Sequence, residues 1–295
     1  MNQKTSGHLS REEHIEQEYF FRVYRERLEE NVPSQEVLKT VHEEILSTTR
    51  LPMAIDFMRA EILHNGRISD AMTRLSHYFT PWQSFVIARA EEDVSRFDQT
   101  TALDILERQA GYFTREPTPQ GLFIFQFECL TRNRLGFREG LQAIAGDPYY
   151  DERWQKWIRS LNNRLGAAEL AELVFRASDH FVRLRTSQSA DANAVVEHEQ
   201  ALFGEQDGRI AKANIGREPL YFFAALQRQL NYPEVPRSVV DEDETLPRFL
   251  EDRLHKIEQR LKIAEMELKG GIDLTRFYKS QDQKPRFGDD VTGNF

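Results

Sequence analysis

Apolar residues recur along most of the chain at spacings of three and four, the period that puts them on one side of an α-helix. Ile15, Tyr19, Val23 and Leu28 form the first stripe, introduced by Ser10 and Glu13 in the S-x-x-E arrangement of a capping box. Val37, Leu38, Val41 and Ile45 form the second, restarted at Pro33-Ser34, and Ile55, Met58, Ile62 and Leu63 the third, opened by Pro52. Asn65-Gly66 then reads as a helix end, because glycine takes positive φ without a Cβ penalty. Ser69 predicts the next N-cap, with Asp70 against the positive end of the new helix. Thr80-Pro81-Trp82-Gln83 is a fuller start signal: a threonine cap, proline at the first helical position, and glutamine three after the cap. One further helix is predicted between Phe97 and Phe113.

Beyond "TREPTPQG" the same period resumes. Thr118-Pro119 opens an apolar helix, Gly136 and Gly140 punctuate it, and Asp147-Pro148 begins a segment carrying Trp154, Trp157, Ile158 and Leu161. After Gly166, "AAELAELVFRASDHFV" reads as one helix. Residues 187–216 are polar and small, suggesting a long connection with one short helix, and Pro219 opens "LYFFAALQRQL". "NYPEVPRSVVDEDETLP" reads as a linker from its prolines and its acidic run. Leu250, Leu254, Ile257, Leu261, Ala264 and Leu268 then alternate spacings of four and three, with Glu258–Lys262 and Glu265–Lys269 pairs in the favourable order. That stretch is short for an independent coiled coil, so it either docks on the protein's own body or pairs with a second copy.

No run alternates with period two between hairpin turns, so the expected class is all-α. The expected organisation is a flexible N-terminus (1–10), an antiparallel bundle of about six helices (11–116), and a second helical subdomain (117–186). A polar connection with a short helix and an acidic linker (187–246), a C-terminal amphipathic helix (247–270) and a disordered tail (271–295) complete it. "TPQGLFIFQFE" loosely echoes "TPWQSFVIARAE", as a diverged repeat of the first module would, although the glycine junction does not recur.

Composition narrows the function classes more than it names one. The 295 residues are 40% hydrophobic and 29% charged, an ordinary water-compatible balance, and the formal net charge of −9 supplies no positive field for nucleic acid or anionic lipid. No stretch approaches the roughly 18 consecutive apolar residues of a spanning helix, and the N-terminus lacks a signal-peptide core, so a cytoplasmic location is expected. The single cysteine, Cys129, sits inside "LFIFQFECL", where a buried inert thiol is expected.

Catalytic patterns are missing. There is no H-E-x-x-H helix, no G-x-S-x-G elbow and no glycine-rich phosphate loop. Four-helix carboxylate metal sites need two E-x-x-H pairs; only Glu61-x-x-His64 fits that spacing, and Glu61 and His64 stay as the weak metal candidates. With 48 acidic residues and 8 histidines, about one acid-x-x-His pair arises by chance, and Asp252/His255 is a second, so the spacing carries no signal. Asp179 and His180 are adjacent and point about 100° apart on a helix, poorly placed for a hydrogen-bonded base. Glu91, Glu92 and Asp93 read as a solvated acidic face, and the three tryptophans as core.

One stretch carries a resemblance. Gly66-Arg67-Ile68-Ser69-Asp70-Ala71-Met72 is similar to the G-x-[LI]-S-[ED]-A-[LM] helix junction of the type II secretion system F domain, the cytoplasmic helical module of secretion and pilus platform proteins. Phe79-Thr80-Pro81 resembles that family's F-P-P step, Ala88-Arg89-Ala90-Glu91 its A-x-G-E, and Phe21 to Leu38 its opening helix pair. The similarity covers residues 18 to 113. Ala90 and Val94 stand where the family has glycines, Asn31 replaces the glycine of the first turn, and the family's membrane spans have no counterpart here. The resemblance implies a helical bundle with Gly66, Ser69, Asp70, Phe79, Pro81 and Glu91 as its structural or interaction residues. The expectation is a non-enzymatic scaffold or adaptor without a cofactor. Its expected partners are other proteins, secretion or pilus components among them, with no nucleic acid, and self-association is expected through the C-terminal helix. The alternative is a helical enzyme or metal protein with a site assembled from distant residues, with Glu61, His64 and His180 as its candidates.

Overall fold

Local chemistry starts most of the helices. In the computed structural model, which describes residues 9–92, 97–166, 169–188 and 201–238, the hydroxyl or carboxylate of Ser10, Thr80, Asp98, Thr118 and Asp151 accepts a backbone N–H three residues on. Each bond satisfies one of the N–H groups that the first helical turn leaves unpaired. The elements are α1 (Arg11–Glu29), α2 (Ser34–Glu44), α3 (Leu51–Asn65), α4 (Ile68–Arg74), α5 (Pro81–Ala90), α6 (Gln99–Phe113) and α7 (Pro119–Arg132). They continue as α8 (Phe137–Ala145), α9 (Glu152–Leu161), α10 (Leu170–Arg176), α11 (Asp179–Gln188), α12 (Glu205–Asn214) and α13 (Pro219–Leu230). The protein is all-α, with a one-residue parallel bridge between Ser178 and Phe203. No helix among them is long and apolar enough to cross a membrane.

Six helices lie between Arg11 and Phe113, and α1 packs most extensively on α6. Further along, α5 meets α8, α7 meets α8 and α13, and α12 packs on α10, α11 and α13. Buried side chains from Phe20 to Val235 join one apolar cluster, and all described residues belong to one compact unit. The turn at Glu116 (φ 54°), where the second helical subdomain was expected to begin, does not interrupt that core. Cys129 is fully buried, and burial raises its thiol pKa well above the ordinary value. The residues of the expected C-terminal helix and tail, and residues 1–8 of the N-terminus, lie outside the described residues.

Several elements differ from expectation where a local reading gives way to packing. Ser10 caps α1 by accepting from Glu13 N (3.4 Å), but Glu13 does not return the bond of a capping box. Its carboxylate turns inward, accepting from Arg50 N (2.8 Å) and the Tyr78 hydroxyl (2.9 Å). The segment read as one helix after Gly166 is two, α10 and α11, parted where Ser178 bridges to Phe203. Asp147 does not open α9; Asp151 does, and Asp147 is buried in the preceding turn.

The larger correction concerns residues 201–238, expected as polar connection and linker. Phe203 is buried among Trp154, Trp157 and Phe123, with ring centroids 5.2, 5.4 and 6.3 Å away. Two helices follow it: α12 inside the stretch read as a long connection with one short helix, and α13 where Pro219 reads as a helix start. Tyr232–Ser238, the front of the expected linker, is an extended strap held to α6 and α7. Arg108 donates to Glu234 O (3.0 Å), Asn133 to Pro236 O (3.0 Å), Ser238 N to Asn133 Oδ1 (3.0 Å), and the buried Tyr232 hydroxyl to Glu128 (2.7 Å). Prolines, which have no N–H to leave unsatisfied, suit such a strap as well as they suit a solvated linker.

Candidate functional site

Two places concentrate the residues of interest. The first is the α3–α5 junction. Gly66 ends α3 with φ 71° and its N–H on Ile62 O (3.0 Å), and no atom crowds the position of its absent Cβ, so backbone conformation alone calls for glycine. Ser69 is not the N-cap of α4. Arg67 occupies that position without a side-chain bond, and Ser69 lies one residue inside the helix. The cap comes from Glu91, just past the end of α5, whose carboxylate accepts Ile68 N (2.6 Å), Ser69 N (3.1 Å) and the Ser69 hydroxyl. A carboxylate satisfies two of the unpaired N–H groups and opposes the positive helix end, which a serine hydroxyl does with one bond and no charge. Glu91, expected on a solvated face, therefore locks α5 to α4.

The other family-motif residues are structural or exposed. Phe79 is buried, edge-on to Tyr78 at 5.0 Å between ring centroids. Pro81 is the first residue of α5, where Thr80 and Gln83 close a complete capping box (Gln83 N to Thr80 Oγ1 3.3 Å, Thr80 N to Gln83 Oε1 3.0 Å). Asp70 is exposed beside this junction. The motif's Ser69 and Glu91 are thus taken up by the protein's own groups.

Glu61 pairs with Arg74 (2.7 Å), and the His64 side chain lies outside the described residues. No three histidine, cysteine or acidic side chains among the described residues are grouped to hold a metal ion. His180 lies against the Phe175 ring, 6.0 Å between centroids, and Asp179 donates its N–H to Phe203 O (3.0 Å).

The second place was not marked by any sequence signal. A groove of about 1180 Å³ opens between α7, α8, the end of α9, the start of α10 and the α12–α13 turn. Its floor is aromatic: Phe127 lies 5.5 Å from Phe137 and 6.4 Å from Phe223, and Phe222 is 6.0 Å from Phe223. Phe137 keeps 44% of its surface exposed, and Leu220 and Tyr221, between the lining residues Pro219 and Phe222, keep 41% and 64%. Three exposed arginines, Arg138, Arg159 and Arg217, line it, and among the described residues none is within ion-pair distance of a carboxylate. Glu169, the lining acid, already accepts Gly216 N (2.8 Å) and braces the α12–α13 turn.

A second, smaller cleft of about 630 Å³ makes the contrast. Arg25 there pairs with Glu107 (3.0 Å) and Glu29 (3.2 Å), and Arg108 with Asp104 (2.8 Å), so two of its three arginines are neutralised internally. Among the described residues the first groove offers three guanidinium groups without an ion pair beside exposed aromatic surface; the second offers one, Arg237, beside two that are paired. Sequence reading missed Phe137, Leu220 and Tyr221 because each lies in a first helical turn beside genuinely buried aromatics, and period alone does not separate the two.

No family model, curated protein or solved structure matches the chain.

Proposed function

We propose that this is a non-enzymatic helical protein that acts as a scaffold or adaptor, binding another protein through the groove between α7 and α13. The carrying observation is the exposed Phe137 in a groove with an aromatic floor, with exposed Leu220 and Tyr221 adjoining it on the first turn of α13. Exposed aromatics held by a packed scaffold bind at low entropic cost, and aromatic residues with arginine are the side chains enriched at interaction hot spots. The lining holds no histidine, cysteine or serine to act as nucleophile or base, which favours binding over chemistry.

The partner class suggested by the junction motif, a component of a secretion or pilus machine, rests on the family resemblance of residues 18 to 113. The α3–α5 junction is compatible with that resemblance: it uses the motif's glycine, serine and glutamate for one another, as a packing motif would. A cytoplasmic location accompanies that reading.

The test is site-specific photo-crosslinking in the native cell. A benzophenone amino acid at Tyr221 is expected to give a discrete adduct with a partner protein, lost on Leu220→Asp at unchanged melting temperature. The same probe at Met53, exposed on α3, is expected to give none. Equal labelling from Tyr221 and Met53, or no adduct from Tyr221, would sink the reading.

A further inference from the structure

We infer that the groove's occupant is an acidic amphipathic segment of the partner, in which aspartate or glutamate side chains flank aliphatic or aromatic ones. The inference rests on the protein-binding reading above and adds the chemistry of the bound segment. Three features carry it. Arg138, Arg159 and Arg217 come from three different elements, α8, α9 and the α12–α13 turn, and converge on one groove in a chain whose net charge is −9. None is neutralised by a carboxylate among the described residues, whereas Arg25 and Arg108 in the neighbouring cleft are. A guanidinium presents a planar fork of donors that matches a carboxylate in two bonds, so three forks around an apolar floor specify an acid-bearing apolar ligand.

Enclosure decides between a small molecule and a chain segment. Small-molecule pockets run to about 300–1,000 Å³ and enclose most of the ligand. This groove, at about 1180 Å³, lies at the upper end of that range, and it leaves its lining Phe137, like Tyr221 on the adjoining turn of α13, substantially exposed. A peptide supplies what that geometry lacks: apolar side chains to cover Phe137, Leu220 and Tyr221, and carboxylates spaced to reach arginines on separate elements. The wall provided by α12 and α13 is fixed, because Glu169 holds Gly216 N and the Tyr232 hydroxyl reaches Phe223 O (3.0 Å). The groove is therefore formed before binding and costs little ordering energy on the protein's side.

The experiment is a selection of a random peptide display library on the full chain, followed by fluorescence anisotropy of the best peptide. Enriched peptides are expected to carry two or more acidic residues around aliphatic or aromatic ones. Arg138→Glu and Arg217→Glu are each expected to weaken binding by roughly fivefold to tenfold, with affinity falling as salt rises. Both arginines are exposed, so unchanged melting temperatures check that the variants fold. Leu220→Asp separates the two levels of failure. Peptides that are neutral or basic, yet still lost on Leu220→Asp, overturn the acidic chemistry and leave the groove reading standing. Peptides indifferent to Leu220→Asp and to both charge reversals overturn both. Displacement of an acidic peptide by millimolar inorganic phosphate would assign the arginines to a free anion and overturn the peptide proposal.

Discussion

The α3–α5 junction and the arm formed by residues 201–238 are both short helices joined by irregular chain, yet they are held by opposite means. At the junction, Gly66, Thr80, Pro81 and Gln83 do what their types favour within four residues of themselves, and one long-range bond set, from Glu91, finishes the arrangement. In the arm, nearly every fixing contact is long-range. Phe203 sits among α7 and α9 aromatics, Leu202 and Phe203 N–H groups reach Ala177 O (2.9 and 3.2 Å), and Gln120 donates to Leu202 O (2.6 Å). Gly208 lets α12 press on the α10–α11 break, since a Cβ there would meet Ser178 and, at 2.7 Å, His180 Cβ. The lesson is that a stretch that reads as connection and linker can still be core-bound when one large ring and a few backbone bonds anchor it.

The strongest way to break that contrast is Phe203→Ala. Removing a ring buried against two tryptophans is expected to cost about 3–5 kcal/mol in urea unfolding, with the arm losing protection from proteolysis. A cost below about 1 kcal/mol would mean that the arm is a connection after all.

Asp147 sharpens the contrast within one residue type. Asp98 and Asp151 act as local caps; Asp147 is fully buried, with Oδ1 accepting Tyr149 N (3.0 Å) and Oδ2 without a hydrogen-bond partner. Burial pushes its pKa up from 3.8 to about 6, opposed by Tyr149 N and by the Gln126 and Thr80 side chains that face it. The folded state thus holds its proton more tightly than the unfolded chain. The stability this confers is present below about pH 4 and lost as pH rises to about 6. The loss amounts to at most about 3 kcal/mol at 1.36 kcal/mol per unit. Asp98 runs the other way. Burial acts against its charge, but hydrogen bonds from Thr100, Thr101 and Ser238 win and hold its pKa down, so its contribution fades in acid. Asp147→Asn is expected to flatten the fall between pH 4 and 6 and to raise the melting temperature at pH 7. A variant no more stable than wild type at pH 7 would refute the buried charge.

At the junction the decisive pair is Glu91→Ala and Ser69→Ala. With Glu91 as the cap of α4, the first is expected to cost about 2 kcal/mol and the second about 1, through loss of a hydroxyl donor alone. The reverse order would restore Ser69 as the cap. Smallest is Gly66→Ala, expected to cost about 1 kcal/mol from the left-handed backbone, because nothing crowds the added methyl. Thermal unfolding at pH 7 resolves it, and a neutral result would remove the requirement for φ above zero.

Helix class and most helix starts were legible in the chain because caps, prolines and apolar period act within a turn or two. Thr80, Thr118 and Gly66 do in the fold what their sequence neighbourhood indicates. Glu13 and Glu91 show where that legibility stops: each has a plausible local or solvated role and takes a distant one, because a buried or helix-end N–H exerts a stronger claim than water. Glu61, one of the metal candidates, pairs with Arg74 across the junction. The groove was invisible because Arg138, Arg159 and Arg217 lie 21 and 58 residues apart in sequence and meet only through the packing of α8, α9 and α13.

By itself the sequence determined an all-α protein, the start and stop of its early helices, and a composition without a positive field or a spanning segment, since these follow from local propensity and total charge. Only the tertiary structure decided that Phe203 belongs to the core, that the proline-rich strap lies on α6 and α7, that Glu91 caps a helix 22 residues behind it, and that three arginines without an ion pair among the described residues share one aromatic groove. Each depends on which surfaces meet when helices pack, and that is set by the summed burial of many side chains, with no counterpart in the spacing of a few.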